Sequence, residues 1–207
     1  MENTKLQLQK AIEAARAGGI IIFPTDTAFG IGCRIDNRAA VDRLFKIRRR
    51  SVTQAMPVLV SSIDMSLTYL DSPSDVVRRL MKEYWPGGLT IIAKCKQNII
   101  YSPIRGGGNT VGLRMPNHPA ILKIIEEVGV PILGPSANFH GDPTPYSMAD
   151  LNPELVKLVD CVVPARLPAP ERSDGGQGEC SVRQASTVVD CSVTPYKIIR
   201  QGAVKLK

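Results

Sequence analysis

Residues Ile20–Gly32 read I-I-I-F-P-T-D-T-A-F-G-I-G, and this stretch decides the fold expected of the chain. An apolar run ends at Pro24, and two threonines, an aspartate and two glycines follow it. That order predicts a buried strand over Ile20–Phe23 that opens into a tight polar turn. Because ligands bind beyond the carboxyl ends of strands in open α/β sheets, a substrate is expected at this turn.

Helix-forming and strand-forming segments alternate outward from this stretch. Helices are predicted over 4–17, 39–47, 74–85 and 119–128, and Asn152 followed by Pro153 predicts the start of another. Strands are predicted over 20–23, 56–60, 89–94, 110–114, 131–134, 161–163, 186–190 and 196–200. The pattern favours an α/β fold with a mixed sheet and flanking helices. Residues 164–185, rich in Pro, Gly, Ser and charge, are predicted to be a functional or mobile loop.

The composition is typical of a soluble globular protein, because 43% of the 207 residues are hydrophobic and 22% are charged. No apolar run approaches the ~18 residues of a membrane span, and the polar N-terminus is not expected to be a signal peptide. The five cysteines are odd in number and form no CxxC pair. They favour free thiols in a reducing cytoplasm over disulfides or a zinc site.

The charge of the chain points to its class of partner. A formal net charge of +7 favours anions such as nucleotides, RNA or phosphorylated metabolites. Familiar catalytic patterns are absent: the sequence has two histidines and no HExxH, G-x-S-x-G or Walker A motif. Of these histidines, His118 is predicted to be a structural residue at a helix start, and Trp85 is predicted to pack in the core.

Arginines and hydroxyl residues instead follow the predicted strands and helices. They are Arg48–Arg50 after a helix, and Arg114, Ser136–Asn138, Ser186 and Arg200 at or near strand ends. Each has an ordinary interpretation, as a solvated basic patch at a helix C-terminus or as a polar turn. Each can also bind anions, because a guanidinium offers a rigid fork to carboxylate or phosphate.

The order of these segments resembles the YrdC-like family, whose enzymes make threonylcarbamoyl-adenylate. The matching segments are 24–32, 48–50, 85–90, 111–119, 135–138, 186–190 and 200–202. The resemblance covers residues 8–202 and implies a single α/β domain, a twisted open mixed sheet with flanking helices and a basic concave cavity. Only residues 201–207 follow the last motif, so the short form without an additional C-terminal domain is expected.

The resemblance implies a nucleotidyltransferase that uses L-threonine, bicarbonate and ATP, releases pyrophosphate, and serves the t6A modification of tRNA. ATP would bring Mg²⁺ as a substrate complex, with no protein metal site and no tightly bound cofactor. Implied partners are t6A transferase proteins and, through direct contact, tRNA or other RNA, with no membrane. A cytoplasmic location is expected.

The family's functional residues carry over to positions that match its motifs. The catalytic set implied is Arg48, Arg50, Ser136 and Asn138, the threonine set is Thr27, Arg114, Gly134 and Ser186, and the ATP set is Arg50, Gln54, Thr110, Ser136 and Arg200. Arg114 would hold the threonine carboxylate, and Arg50 would face the ATP phosphates. Gly134 would let the ligand approach the backbone.

Three positions depart from the family pattern. Arg48 stands where the family has lysine, Leu59 where it often has histidine, and His140 where it often has serine. An alternative alignment makes Lys46–Arg48 the K-x-R signature, at the cost of a short insertion before Met56. Arginine keeps the positive charge but cannot act as a compact ammonium.

Two other functions remain open at this stage. The net charge and the change at Arg48 suit a non-catalytic RNA-binding member of the same fold, although Ser136 and Asn138 are retained. A carbamoyl-adenylate module of hydrogenase maturation is less favoured, because such modules have zinc-finger segments that this sequence lacks.

Overall fold

The computed structural model describes residues 2–164 and 182–207, which form helices packed on two β-sheets. The helices are α1 (Glu2–Arg16), α2 (Arg38–Ile47), α3 (Ile63–Tyr69), α4 (Asp75–Tyr84), α5 (Pro119–Val128) and α6 (Pro153–Val156), with 3-10 turns at Ser102–Arg105 and Met148–Asp150. The strands are β1 (Ile21–Phe23), β2 (Gly30–Gly32), β3 (Val58–Leu59), β4 (Leu89–Lys94), β5 (Thr110–Arg114), β6 (Ile132–Leu133), β7 (Cys161–Val162), β8 (Thr187–Asp190) and β9 (Lys197–Arg200).

The sequence predicts one mixed sheet, whereas the structure has two, and both of them are mixed. The smaller sheet has the order β2-β1-β7, with β1 antiparallel to β2 and parallel to β7. The larger sheet has the order β6-β3-β5-β4-β8-β9 and also combines parallel and antiparallel pairs. Single bridges from Gly30 to Ser136 and from Arg34 to Ile132 connect the sheets. The β1–β2 hairpin is thereby held beside the turn that follows β6.

Alternation along the central strands separates the core from a polar face. Ile91 of β4, Leu113 of β5 and Val189 of β8 are buried in the main core. Their neighbours Thr90 and Gly112 lie on the opposite face, because successive side chains of a strand point to opposite sides. A second core lies where α5 packs with α1 against β1 and β6. Within residues 2–164 and 182–207, the core covers one face of the central strands, and the polar face is the one that borders a cavity.

The structure confirms most of the predicted elements and corrects two. The bounds of β4, β5 and α5 match the sequence prediction, and Asn152 caps α6 by accepting from the Glu154 amide at 2.9 Å. The polar turn predicted after β1 is shorter than expected, since Gly30–Gly32 forms strand β2. No element was predicted at α3, whose N-cap Ser62 accepts from the Met65 amide.

Strand β2 depends on its glycines. A Cβ at Gly32 would collide with the Leu133 carbonyl, so a residue with a side chain could not approach β6 as closely. Sequence periodicity gives little signal for such a strand, because two of its three residues carry no side chain.

Three further sequence predictions concern the long loop, the cysteines and membrane-spanning segments. Most of the predicted loop 164–185, together with Cys180, lies outside the described residues. The cysteines within residues 2–164 and 182–207 are free thiols, and burial raises the pKa of Cys33 to about 12. Within the same residues, no helix combines the length and apolar character needed to cross a membrane.

Candidate active site

A cavity of about 480 Å³ opens between the β1–β2 hairpin, the polar face of β4, β5 and β8, and the turns after α2 and β6. Its size is typical of a small-molecule site. The predicted site residues that line it are Thr27, Arg48, Arg50, Thr110, Arg114, Gly134, Ser136, Ser186 and Arg200. Of the remaining two, Asn138 lies behind the wall, bonded to Arg48 and Ser136, and Gln54 is exposed beside Arg50.

The turn after β1 is built by Thr25. Its hydroxyl oxygen accepts from the amides of Thr27 at 3.2 Å and Ala28 at 3.1 Å, and it donates to the Ala28 carbonyl at 2.6 Å. A threonine hydroxyl that bonds its own turn in this way fixes the backbone locally. The P-T-D-T sequence therefore presents Asp26 and Thr27 toward the end of β5.

Arg114 forms the first end of the cavity. At the end of β5, it donates from Nη2 to Asp26 Oδ1 at 2.5 Å, from Nη1 to Thr27 Oγ1 at 2.6 Å and from Nε to the Gly87 carbonyl at 2.9 Å. The Arg114 and Asp26 side chains are each 8% exposed. Asp26 also accepts from the Asn117 amide at 3.0 Å. This buried ion pair fixes the arginine before any ligand arrives.

Hydroxyls and a further arginine continue this end along β4 and β8. Thr90 Oγ1 and Ser186 Oγ lie 2.9 Å apart, and Arg200 donates to Ser186 through Nη2 at 3.1 Å and to its carbonyl through Nε at 3.0 Å. Burial lowers the pKa of Arg200. Ser186 is thus held in place from two sides at the cavity wall.

Arg48 and Arg50 form the second end. Arg48 is 3% exposed and donates from Nε to the Asn138 carbonyl at 3.1 Å and from Nη2 to Asn138 Oδ1 at 3.0 Å. Its Nη1 is buried and has no hydrogen-bond partner among the described residues. Burial, and then the charge of Arg50, lower the pKa of Arg48 to about 10. A buried cation with an unbonded N–H at a cavity wall is suited to an oxyanion.

Arg50 is held more loosely. It donates from Nε to the Gln54 carbonyl at 3.2 Å and from Nη2 to the Ala55 carbonyl at 2.9 Å, and burial lowers its pKa. Lys46 is exposed and borders a separate surface depression with Arg49. The arginines of the preferred alignment therefore line the cavity, whereas the lysine of the alternative alignment borders the depression.

Ser136 and Asn138 form one hydrogen-bonded unit in the turn after β6. Ser136 Oγ donates to Asn138 Oδ1 at 2.7 Å, and Asn138 Nδ2 donates to the Asp142 carbonyl at 2.6 Å. A guanidinium can only donate, so its bond from Arg48 identifies the amide oxygen and makes Ser136 the donor. The lone pairs of the Ser136 hydroxyl are then the part that it can offer to a ligand.

An apolar floor joins the two ends. Ile92 and Gly112 are paired across β4 and β5, and Val188 and Ile199 continue the surface on β8 and β9. Gly112 adds no side chain to this floor, and a Cβ there would make only ordinary contacts with Thr90 at 3.4 Å and Ile92 at 3.7 Å. An aliphatic surface between cationic ends is suited to a planar ring that carries anionic groups.

The sequence analysis gave no role to Asp26 and Thr90. Asp26 lay inside the quoted turn, but an aspartate in a polar turn is usually a turn former, so its pairing with Arg114 had no local signal. Thr90 belongs to a matching segment, and its position between core residues Leu89 and Ile91 could have identified it as facing the opposite side. Thr25, which builds the turn, is the third such residue.

His118, Trp85 and Leu59 have structural roles. His118 caps α5, with Nδ1 accepting from the Ala120 amide at 3.3 Å, as predicted. Trp85 is buried in the main core and donates to the Leu89 carbonyl at 2.8 Å. Leu59, where the family often has histidine, is buried against Gly134, and a Cβ at that glycine would collide with the leucine side chain. Within the described residues, no group of three or more His, Cys, Asp or Glu could hold a metal ion.

Comparisons with known proteins agree on one family. A family model described as "Telomere recombination" and named for Sua5, YciO and YrdC matches residues 13–202. The threonylcarbamoyl-AMP synthase of Bacillus subtilis (strain 168) is 32% identical over 200 residues, which cover 96% of this chain and 54% of that protein.

Solved structures give the same result. The crystal structure of Pyrococcus abyssi Sua5 complexed with L-threonine has a TM-score of 0.82 at 29% identity, over 94% of this chain and 54% of that one. The crystal structure of Escherichia coli YciO has a TM-score of 0.80 at 27% identity, over 99% of this chain and 92% of that one. This chain therefore spans about half the length of the B. subtilis and P. abyssi proteins.

Proposed function

Because this chain belongs to the Sua5, YciO and YrdC family, we propose that it makes threonylcarbamoyl-AMP from L-threonine, bicarbonate and ATP and releases pyrophosphate. The observation that carries the proposal is the cavity itself, whose lining combines Arg114 and Thr27, Arg48 and Arg50, and the apolar floor. Relatives named threonylcarbamoyl-AMP synthase and a relative's complex with L-threonine support it.

The reaction places several anions side by side. The threonine amine captures bicarbonate to give a carbamate and water, a carbamate oxygen attacks the α-phosphate of ATP, and pyrophosphate leaves. The carbamate, the threonine carboxylate and the triphosphate repel one another, and charge effects are large in a partly dry cavity. Fixed arginines and hydroxyls can offset this repulsion and align the reactants, so the chemistry needs no protein nucleophile.

Threonine is proposed to bind at the first end. Arg114 would hold its carboxylate, and the hydroxyls of Thr27 and Ser186 and the backbone at Gly134 would surround the rest of the amino acid. Arg114 does not have to reorganise for this, because Asp26 and Gly87 already fix the guanidinium.

ATP is proposed to lie across the floor toward the second end. Arg48 Nη1 and Arg50 would serve the phosphates, and the purine ring would rest near Ile92 and Gly112. Ser136, whose hydroxyl donates to Asn138, would offer its lone pairs to a substrate N–H or to the cation of MgATP, and Asn138 would hold Ser136 and Arg48 from behind the wall. Thr110, Gln54 and Arg200 complete the proposed ATP set. Mg²⁺ would arrive as the MgATP complex, with the phosphates supplying oxygen ligands.

The biological setting is part of the same proposal. The product would serve t6A modification of tRNA in the cytoplasm and pass to transferase partner proteins, and the net charge of +7 suits a contact with tRNA. A non-catalytic RNA-binding role is the second candidate, and the same charge favours it. The hydrogen bond between Ser136 and Asn138 favours the enzyme, since both predicted catalytic side chains are ordered at the cavity.

The test is pyrophosphate release by the purified protein, with mass spectrometry of the product. Release is expected only when threonine, bicarbonate and ATP are all present, and Ser136→Ala is expected to lower the rate by about tenfold or more. Ser192→Ala is the matched control, because Ser192 bonds to Asp190 in the β8–β9 connection. Release without threonine, or salt-sensitive RNA binding without any release, would reject the enzyme in favour of another function.

A further inference from the structure

Arg48 connects the end of helix α2 to the turn after β6. It is the C-cap of α2, and its carbonyl accepts from the His140 amide at 2.9 Å. Its guanidinium reaches the same turn through two bonds to Asn138. One residue thus contacts the 136–142 turn through both its backbone and its side chain.

Asn138 connects Arg48 to the rest of the turn. Its Oδ1 accepts from both Arg48 and Ser136, its carbonyl accepts from Arg48, and its Nδ2 donates to Asp142. The orientation of the amide therefore sets the direction in which the Ser136 hydroxyl points. Through this chain of bonds, the position of the Arg48 guanidinium determines what Ser136 presents to the cavity.

We propose that Arg48 is a positioning residue, which acts through Asn138 to hold the 136–142 turn, and that lysine cannot take its place. The inference rests on the proposed function for the meaning of that turn. It departs from the family pattern, in which lysine occupies this position. In this chain the arginine has two roles: its bonds to Asn138 hold the wall of the site, and its positive charge attracts the ligand.

The geometry separates these two contributions. An arginine fork bonds two acceptors at once from a rigid plane, here the carbonyl and side-chain oxygens of Asn138. A lysine keeps the positive charge on a flexible stem but has a single nitrogen. Arg48→Lys therefore removes the fork and retains the charge. A residue that only attracts phosphate would tolerate the change, whereas a positioning residue would not.

The experiment compares Arg48→Lys with Arg49→Lys and repeats Arg48→Lys in an Asn138→Ala background. Arg49 is a matched control, because it is the next residue and its Cζ lies 4.5 Å from the ring centroid of Phe139 in the same turn. Unlike Arg48, it borders the outer depression. The full chain is assayed for kcat and for the KM of threonine. Calorimetry gives the Kd of inorganic pyrophosphate, and thermal melting reports whether each variant is folded.

Arg48→Lys is expected to lower kcat by about tenfold to a hundredfold, as misplacement of reacting groups does. The KM of threonine should change by less than about twofold, since Arg114 is untouched. Arg49→Lys should change neither. In the Asn138→Ala background the same lysine should cost less than about threefold, because the side-chain acceptor of the fork is already absent.

Wild-type kinetics for Arg48→Lys, or equal losses in both backgrounds, would overturn the proposal. If the wild-type protein shows no threonine-dependent pyrophosphate release, the proposed function fails and the same cycle is read on the Kd of pyrophosphate. Arg48→Lys should then weaken binding by about tenfold only when Asn138 is present. An unchanged Kd, or a loss that is independent of Asn138, would reject the positioning role on this second measure.

Discussion

The two ends of the cavity hold their arginines by different means. Arg114 is paired with the buried carboxylate of Asp26, and each of its three nitrogens donates to a protein acceptor. The guanidinium of Arg48 is equally buried, but among the described residues it bonds only to the neutral Asn138, and its Nη1 has no partner there. The charge of Arg114 is therefore paired with a protein carboxylate, whereas the charge of Arg48 has no carboxylate partner among the described residues.

Because of this difference, Arg114 and Arg48 should contribute differently to the stability and to the activity of the protein. Breaking a buried ion pair leaves an uncompensated charge and is costly, whereas removing a buried cation that has no counter-ion relieves a desolvation cost. Arg114 should therefore matter to both folding and threonine binding. Arg48 should matter to activity far more than to folding.

The largest expected effect is that of Arg114→Met. It leaves Asp26 buried without its partner and should lower the free energy of unfolding by about 3–5 kcal/mol. Urea denaturation measures the loss, and threonine-dependent activity should disappear with it. The matched control adds Asp26→Leu, since replacing both partners should recover much of the stability. If Arg114→Met lowers the free energy of unfolding by less than about 1 kcal/mol, the ion pair between Arg114 and Asp26 contributes no more than an exposed pair, which contradicts the prediction.

Two cavity glycines give the next largest effect and test how rigid the cavity wall is. A Cβ at Gly134 would collide with the buried Leu59, so Gly134→Ala should cost about 1–3 kcal/mol by overpacking. A Cβ at Gly112 meets only ordinary contacts, so Gly112→Ala should leave stability within about 0.5 kcal/mol. Thermal unfolding of the two variants under the same conditions makes the comparison. Equal losses would mean that the wall beside Ser136 yields as easily as the floor.

The sequence could predict the site residues better than it could predict their partners. Strand β5 and the arginine at its end follow from alternation and position. The pairing of Arg114 with Asp26 joins segments far apart in the chain, and no local pattern contains it. The bonds between Arg48 and Asn138 also join segments that are far apart in the chain. An arginine in the sequence indicates an anion site, but it does not show which of its nitrogens bond to the protein.

Arg48→Met should have a smaller effect on stability than either Arg114→Met or Gly134→Ala. The methionine removes a buried cation that has no counter-ion among the described residues, and this gain should offset the two bonds lost to Asn138. The free energy of unfolding should change by less than about 1 kcal/mol, while pyrophosphate release should fall to background. Urea denaturation and the release assay on the same sample test both parts. A loss as large as that of Arg114→Met would show that the two ends are held alike.

The smallest effect concerns His118, which caps α5 close enough to Asp26 to feel its charge. Burial lowers the pKa of His118 below its usual 6.5, although the charge of Asp26 opposes the shift. At a pH above 6.5 both folded and unfolded states hold a neutral imidazole. As the pH falls below that value, the unfolded state takes up the proton first, so the free energy of unfolding decreases.

His118→Asn should therefore flatten the decrease in stability between about pH 7 and about pH 5.5, since asparagine can cap the helix without titrating there. Urea denaturation across that range measures the slope, and replacement of the exposed His140 by asparagine is the control. A flatter slope for His118→Asn alone would locate part of the acid sensitivity at the Asp26 end of the cavity. If both variants keep the wild-type slope, the first end is insensitive to acid in this range, and the contrast with the second end concerns charge pairing alone.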